Sequence, residues 1–135
     1  MNIVIQKFGG TSLATEESRE RVVTKIINKY KLNFNGVVTV SAIGRKGNPY
    51  STDSLIDLIN TKYTSPREKD LLLSCGEVIS AVKLSSILNE KGYKSIVYTG
   101  GQAGIITNEK FGNEDIMKVN PNKLYDSLKK GFIVI

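Results

Sequence analysis

At 135 residues the chain has the size of one domain, long enough for a real core, and its 40% hydrophobic and 24% charged content is ordinary for a soluble globular protein. The absence of histidine excludes Ser-His and Cys-His nucleophilic mechanisms and removes the commonest zinc ligand, and the single cysteine, Cys75, precludes an internal disulfide and fits a reducing cytoplasm. The net charge of +6 is scattered along the chain with no nucleic-acid-binding signature, no apolar stretch approaches the ~20 residues that cross a bilayer, and no secretory pattern opens the chain. Neither nucleic acid nor membrane is therefore an expected partner.

The first element is an apolar strand, Ile3-Val4-Ile5, running into Gln6-Lys7-Phe8-Gly9-Gly10-Thr11-Ser12. Adjacent glycines allow the backbone to approach a phosphate and turn its N–H groups toward it. A helix beginning just beyond adds the partial positive charge of its N-terminus, and Lys7 supplies a full charge from the strand end. The same residues would also serve as a plain strand-to-helix turn. Neither the P-loop nor the GxGxxG spacing is present.

Residues 16–31 place Val22, Val23, Ile26, Ile27 and Tyr30 on one helical face, with Glu16 and Glu17 in the first turn and Lys29 and Lys31 in the last. After the turn Asn33-Phe34-Asn35-Gly36, the run Val37 to Ala42 reads as a buried parallel strand. Strand, helix and strand make a βαβ unit whose two strand ends meet at one edge of the sheet, where open α/β folds bind ligands. The loop at Lys7 and the loop Ser41-Ala42-Ile43-Gly44 are thus expected to share a crevice.

The segment Gly44 to Ser51 is loop chemistry, and Thr52-Asp53-Ser54-Leu55 starts a helix carrying Leu55, Ile56, Leu58 and Ile59. Thr52 or Asp53 could serve there simply as an N-cap. Ser65-Pro66 opens a longer helix to about Asn89, whose only charges between Leu71 and Leu88 are Glu77 and Lys83. A helix apolar nearly all round is expected to be buried, with Leu71, Cys75, Val78, Ile79 and Val82 as one stripe. Glu77 would then be a carboxylate among apolar and small residues, needing either an internal ion pair, for instance with Lys7, or a cationic ligand group. Gly76 and Ser80 leave room for a close approach, and Cys75 reads as core.

Three of these stretches carry a family resemblance. Lys7-Phe8-Gly9-Gly10-Thr11-Ser12, the segment Ser41 to Leu55 and Ser74-Cys75-Gly76-Glu77 resemble signature motifs of aspartate kinases, within the amino acid kinase family; a fourth run, Gly101-Gln102-Ala103-Gly104-Ile105, is similar to the same enzymes. The resemblance runs the length of the chain but covers only the N-terminal part of the family's catalytic domain. It implies an α/β fold, a three-layer αβα sandwich with a mainly parallel sheet, here without the nucleotide-binding half and the ACT regulatory domains. It further implies ATP-dependent phosphorylation of the L-aspartate β-carboxylate, with ATP and Mg²⁺ as cofactors. Lys7 would be the catalytic cation, Phe8, Gly9, Gly10 and Ser41 would lie at the phosphates, and Thr52 and Glu77 would hold the amino-acid substrate. Another amino acid kinase, of glutamate 5-kinase or acetylglutamate kinase type, and a non-catalytic module pairing with a separate chain are the alternatives.

Tyr93 to Tyr98 reads as a third core strand, Asn108 to Glu114 as a surface hairpin or loop, Asp115 to Val119 as a short strand, and Lys123 to Lys129 as a helix closed by Gly131. The final run, Phe132-Ile133-Val134-Ile135, is expected to form a strand lacking a sheet neighbour. That open apolar edge makes self-association the expected outcome, and the chain reads as a fragment of a longer enzyme.

Overall fold

A computed structural model describes residues 1–135. Strand β1 (Ile3–Phe8) leads through a single 3-10 turn at Gly10–Leu13 into α1 (Glu16–Lys31), and β2 (Asn35–Val40) completes the first unit. The short α2 (Thr52–Ile56) and long α3 (Pro66–Glu90) follow, then β3 (Ser95–Ile96), the hairpin of β4 (Ile105–Thr107) and β5 (Ile116–Val119), α4 (Asn122–Lys129) and β6 (Ile133–Val134). Four parallel strands form the main sheet in the order β1-β2-β6-β3, and β1 and β2 pair from Ile3↔Asn35 to Phe8↔Val40. Helices α1 and α3 cover one face of it. Their Val22, Val23, Ile26, Ala81, Leu84 and Leu88 close on Phe8, Val38, Ile133 and Ile135 in one core. Helix α4 lies on the other face, so the architecture is the expected three-layer αβα sandwich with a mainly parallel sheet.

Local chemistry explains the element ends. Thr15 caps α1 in a reciprocal box with Ser18, where Thr15 Oγ1 accepts from the Ser18 N–H and Ser18 Oγ from the Thr15 N–H. Ser65 caps α3, and Pro66 occupies its first position, where a missing N–H costs nothing. Gly131, at φ +80°, ends the α4 segment in a left-handed conformation that other residues rarely adopt.

Four expectations need correction. The run at Phe132–Ile135 is no open edge: β6 inserts between β2 and β3, and Ile133, Val134 and Ile135 are buried. The free edges belong to β1 and β3 instead, and beside β1 the side chains of Ile3, Ile5 and Val37 border an uncovered groove with Leu124, Tyr125 and Leu128 of α4. Helix α3 is buried on one side only. Its inner face is Gly76, Ser80, Ala81, Leu84, Ser85 and Leu88, while Leu71, Cys75, Val78 and Val82 stand exposed and Ile79 is half-buried. Despite Glu77 and Lys83, α3 is also long and apolar enough to meet a membrane-span criterion; here it is a layer of the sandwich. Lastly, α2 stops at Ile56, leaving Leu58 in solvent, and only Ser95 and Ile96 of the expected third strand join the ladder.

Candidate functional site

The two strand-end loops meet as expected. The Ser41 N–H donates to the Phe8 carbonyl (3.2 Å) and the Gly44 N–H to the Gly10 carbonyl (2.9 Å), stitching the glycine turn to the segment after β2. Gly10 is fixed by contact. A Cβ there would overlap the Ala42 carbonyl oxygen and come within 2.7 Å of the Gly44 carbonyl oxygen, both rigid backbone. Gly9 is different, since a Cβ built on it would meet nothing within 4 Å. One glycine of the pair is a joint between loops, and the other leaves open space above the turn.

Helix α3 brings Glu77 to the same edge. Gly76 lies so close to the loop that a Cβ would come within 2.8 Å of Ala42 Cβ and 3.0 Å of Leu55 Cδ1 and the Tyr50 carbonyl. The room left by Gly76 is therefore filled by the chain's own loop and α2. One residue on, the half-buried Glu77 accepts a hydrogen bond at Oε1 from the Ala42 N–H (3.3 Å). The ion pairs of the chain, Arg21–Glu17, Arg67–Glu68, Lys91–Glu20 and Lys110–Asp115, include neither Glu77 nor Lys7. The internal Lys7–Glu77 pair is thus not formed, and the carboxylate is less buried than expected. Lys7 is exposed, on the sheet face that Ile3 and Ile5 share by strand alternation. Glu77 reaches the edge from the opposite helical layer.

Thr52 is the first residue of α2 and is exposed. It has no capping duty, because Ser51 is the N-cap, accepting from the Ser54 N–H (3.2 Å) while Ser54 Oγ donates to the Asn48 carbonyl (2.8 Å). Tyr50 holds the loop in a left-handed conformation at φ +68°. Ser41 is half-buried at the end of β2, and Phe8 is buried beneath the turn. On the α1 side of the turn a cleft of about 290 Å³ opens between Thr11, Ser12, Arg21 and Lys25. The glycines at 100–104 serve a turn: the Asn120 N–H donates to the Gly104 carbonyl (2.8 Å), and Gly104 is at φ +87°.

The Lys7–Gly10 and Ser41–Gly44 loops thus meet at the C-terminal ends of β1 and β2, with Glu77 held against the second from the α3 side; Lys7 lies on the opposite sheet face, and Thr52 stands exposed at the start of α2. Reading the sequence did not single out Ala42, whose small side chain fits against Gly76 and whose N–H orients Glu77; Gly44, at φ +82°, was legible only as a loop glycine. No three or more Asp, Glu or Cys side chains gather where they could hold a metal ion.

The main sheet is an open parallel α/β sheet with a lysine-glycine loop at the C-terminal end of its first strand, the edge at which open α/β folds bind ligands. The model of the amino acid kinase family matches residues 2–135, and the chain belongs to that family. It is similar to Aspartokinase 1 of Bacillus subtilis, at 45% identity over 95% of this chain and 32% of that protein, and to the aspartokinase of Geobacillus stearothermophilus, at 41% over all of this chain and 32% of that one. Among solved structures it resembles aspartate kinase from Synechocystis, with a TM-score of 0.78 and 35% identity over 98% of this chain and 21% of that one. The fold is shared with Escherichia coli aspartokinase III in complex with aspartate and ADP, with a TM-score of 0.81 at 19% identity over 98% of this chain and 40% of that one. The chain spans about a third of the length of the curated relatives it matches.

Proposed function

We propose that these 135 residues form the amino-acid- and phosphate-binding part of an aspartate kinase. A β-carboxylate oxygen of L-aspartate attacks the γ-phosphorus of ATP, the bond to the β,γ-bridging oxygen breaks, and aspartyl phosphate and ADP result. Such transfer depends on positioning and on stabilising spread negative charge. Lys7 is assigned to the transferring phosphoryl group, with the N–H groups of Gly9 and Gly10 beside it and Ser41 at the phosphates above Phe8. Thr52 is assigned to the aspartate and Glu77 to its ammonium group. One observation carries this reading: the Lys7 and Ser41 strand-end loops are joined by hydrogen bonds, Glu77 is held against the same loop at Ala42, and neither Lys7 nor Glu77 is consumed by an internal ion pair although they approach from opposite faces of the sheet. The residues present do not make a metal site, so Mg²⁺ belongs in this reading with the phosphates of ATP and no step is assigned to it.

The chain by itself supplies half a site. In-line transfer requires donor and acceptor held together, and losing that positioning removes most of the rate enhancement. The isolated chain is expected to fold, to bind nucleotides weakly through their phosphates with little preference for adenine over guanine, and to leave aspartate unphosphorylated. ADP release measured with ATP and L-aspartate, with Lys7→Ala as control for contaminating enzyme, tests this. Lys7-dependent turnover by the chain alone would contradict the division into halves, and nucleotide binding indifferent to Lys7→Ala would contradict the phosphate assignment.

A further inference from the structure

Buried Ala42 is held on three sides by groups that belong to different parts of the site. Its carbonyl oxygen stands where a Cβ on Gly10 would have to go. Its N–H donates to Glu77 Oε1 (3.3 Å), and its Cβ lies 2.8 Å from the position a Cβ on Gly76 would take. Gly76 is bordered at 3.0 Å by Leu55 Cδ1 and the Tyr50 carbonyl as well, so the start and the end of the 42–55 segment rest on one point of α3. Tyr50, at φ +68°, is in a conformation that a side chain disfavours, which means that contacts rather than local preference hold this segment in place.

Close packing of this kind carries displacement from one side to the other, because backbone carbonyls and a methyl group cannot swing aside. A shift of Gly10 presses on the Ala42 carbonyl, and moving residue 42 redirects the N–H that orients Glu77. Gly9 supplies the contrast, since open space surrounds its Cβ position and it presses on nothing.

We infer that Ala42 is a positioning residue that couples the glycine turn to Glu77. An anion held by the turn fixes Gly10, Gly10 fixes Ala42, and Ala42 sets the carboxylate for an ammonium group. The ordering cost met by the first ligand is not met again by the second, so phosphate-bearing and amine-bearing ligands favour each other. What the two ends bind rests on the proposed kinase function; the linkage between them does not.

Nuclear magnetic resonance of the 135-residue chain tests the linkage without ligand. Gly10→Ala should move the signals of the Ala42 amide and the Glu77 carboxyl carbon, and Gly9→Ala should leave both in place. From the far side, Gly76→Ala should disturb the Gly10 and Gly44 amides. Adding Ala42→Gly to Gly76→Ala removes the clash between the two Cβ atoms and should return those signals, and that of Glu77, most of the way to wild type. Two independent structural defects would add instead. This rescued pair also decides the question if Gly10→Ala alone unfolds the chain.

The ligand arm uses tripolyphosphate and L-aspartate. The factor by which saturating tripolyphosphate tightens L-aspartate binding should be at least about 5 times greater in the wild-type chain than in Ala42→Gly, which leaves every charge unchanged and removes only the contact with Gly76. Glu77 signals indifferent to Gly10→Ala, the absence of rescue by Ala42→Gly, or equal factors in the two chains would each overturn the proposal. A chain in which Gly10→Ala moves Glu77 but neither ligand binds would support the linkage and contradict the kinase reading.

Discussion

Gly9 and Gly10 are neighbours in one turn, yet the structure gives them opposite tolerances. In Gly10→Ala the new Cβ meets the carbonyl oxygens of Ala42 and Gly44, which belong to backbone and cannot swing aside. Relief requires the turn to move off the loop, lengthening the 2.9 Å bond from the Gly44 N–H to the Gly10 carbonyl. Overpacking of this kind costs about 1–3 kcal/mol and the lost bond about 1 kcal/mol, so the sum is about 2–4 kcal/mol. With a urea dependence of about 2 kcal/mol/M, the unfolding midpoint should fall by about 1–2 M at unchanged slope. Gly9 has φ −77° and open space around the Cβ position, so Gly9→Ala should be neutral or stabilising by up to about 1 kcal/mol through the unfolded state. Paired urea titrations followed by circular dichroism decide the matter. Equal costs at both positions, or a Gly10→Ala midpoint within error of wild type, would refute the reasoning.

Two further outcomes follow from local geometry. Ser51→Ala should lose about 1 kcal/mol of stability, since buried Ser51 caps α2 and its hydroxyl bonds Ser54 Oγ at 2.9 Å, whereas Thr52→Ala should stay within about 0.5 kcal/mol of wild type; thermal melts of the two compare them. Leu84→Ala, on the inner face of α3, should cost about 2–5 kcal/mol, while Leu71→Ala on the outer face, measured at low protein concentration, should cost about 0.5 kcal/mol or less.

What the sequence made legible was local. The apolar runs, the stop at Gly131 and the cap at Ser65 located β1, α1, β2, α3 and α4 within a few residues, although Asn35 and Gly36, read as part of the turn, are already in β2, and the βαβ connection brought the Lys7 and Ser41 loops together. What it hid was non-local. The run at Ile133 has the composition of any buried strand, and nothing in it tells whether it lies at an edge or between β2 and β3. Helix α3 misled for a related reason: with apolar residues on every side, its pattern does not say which face meets the sheet. Close contacts of Gly76 with Ala42 and Leu55 set the rotation, turning Ala81, Leu84 and Leu88 inward and Leu71, Val78 and Val82 out. In the site, Glu77 stood out as a lone carboxylate on an apolar helix, but its partner is a backbone N–H, which sequence does not distinguish from its neighbours.

The central claim is that Lys7 and Glu77 are the phosphate and amino-acid ends of a kinase half-site. It is tested most directly by joining residues 1–135 to the two thirds of the Bacillus subtilis relative that this chain does not span, then measuring aspartate-dependent ADP release. The joined protein should turn over. Lys7→Ala should lower kcat at least about 100-fold with little change in the aspartate KM, because the charge acts mainly on the transition state. Glu77→Gln keeps an acceptor for the Ala42 N–H and removes the charge, so it should raise the aspartate KM about 10-fold or more and spare the fold. An active hybrid whose kcat ignores Lys7→Ala and whose aspartate KM ignores Glu77→Gln would contradict the account.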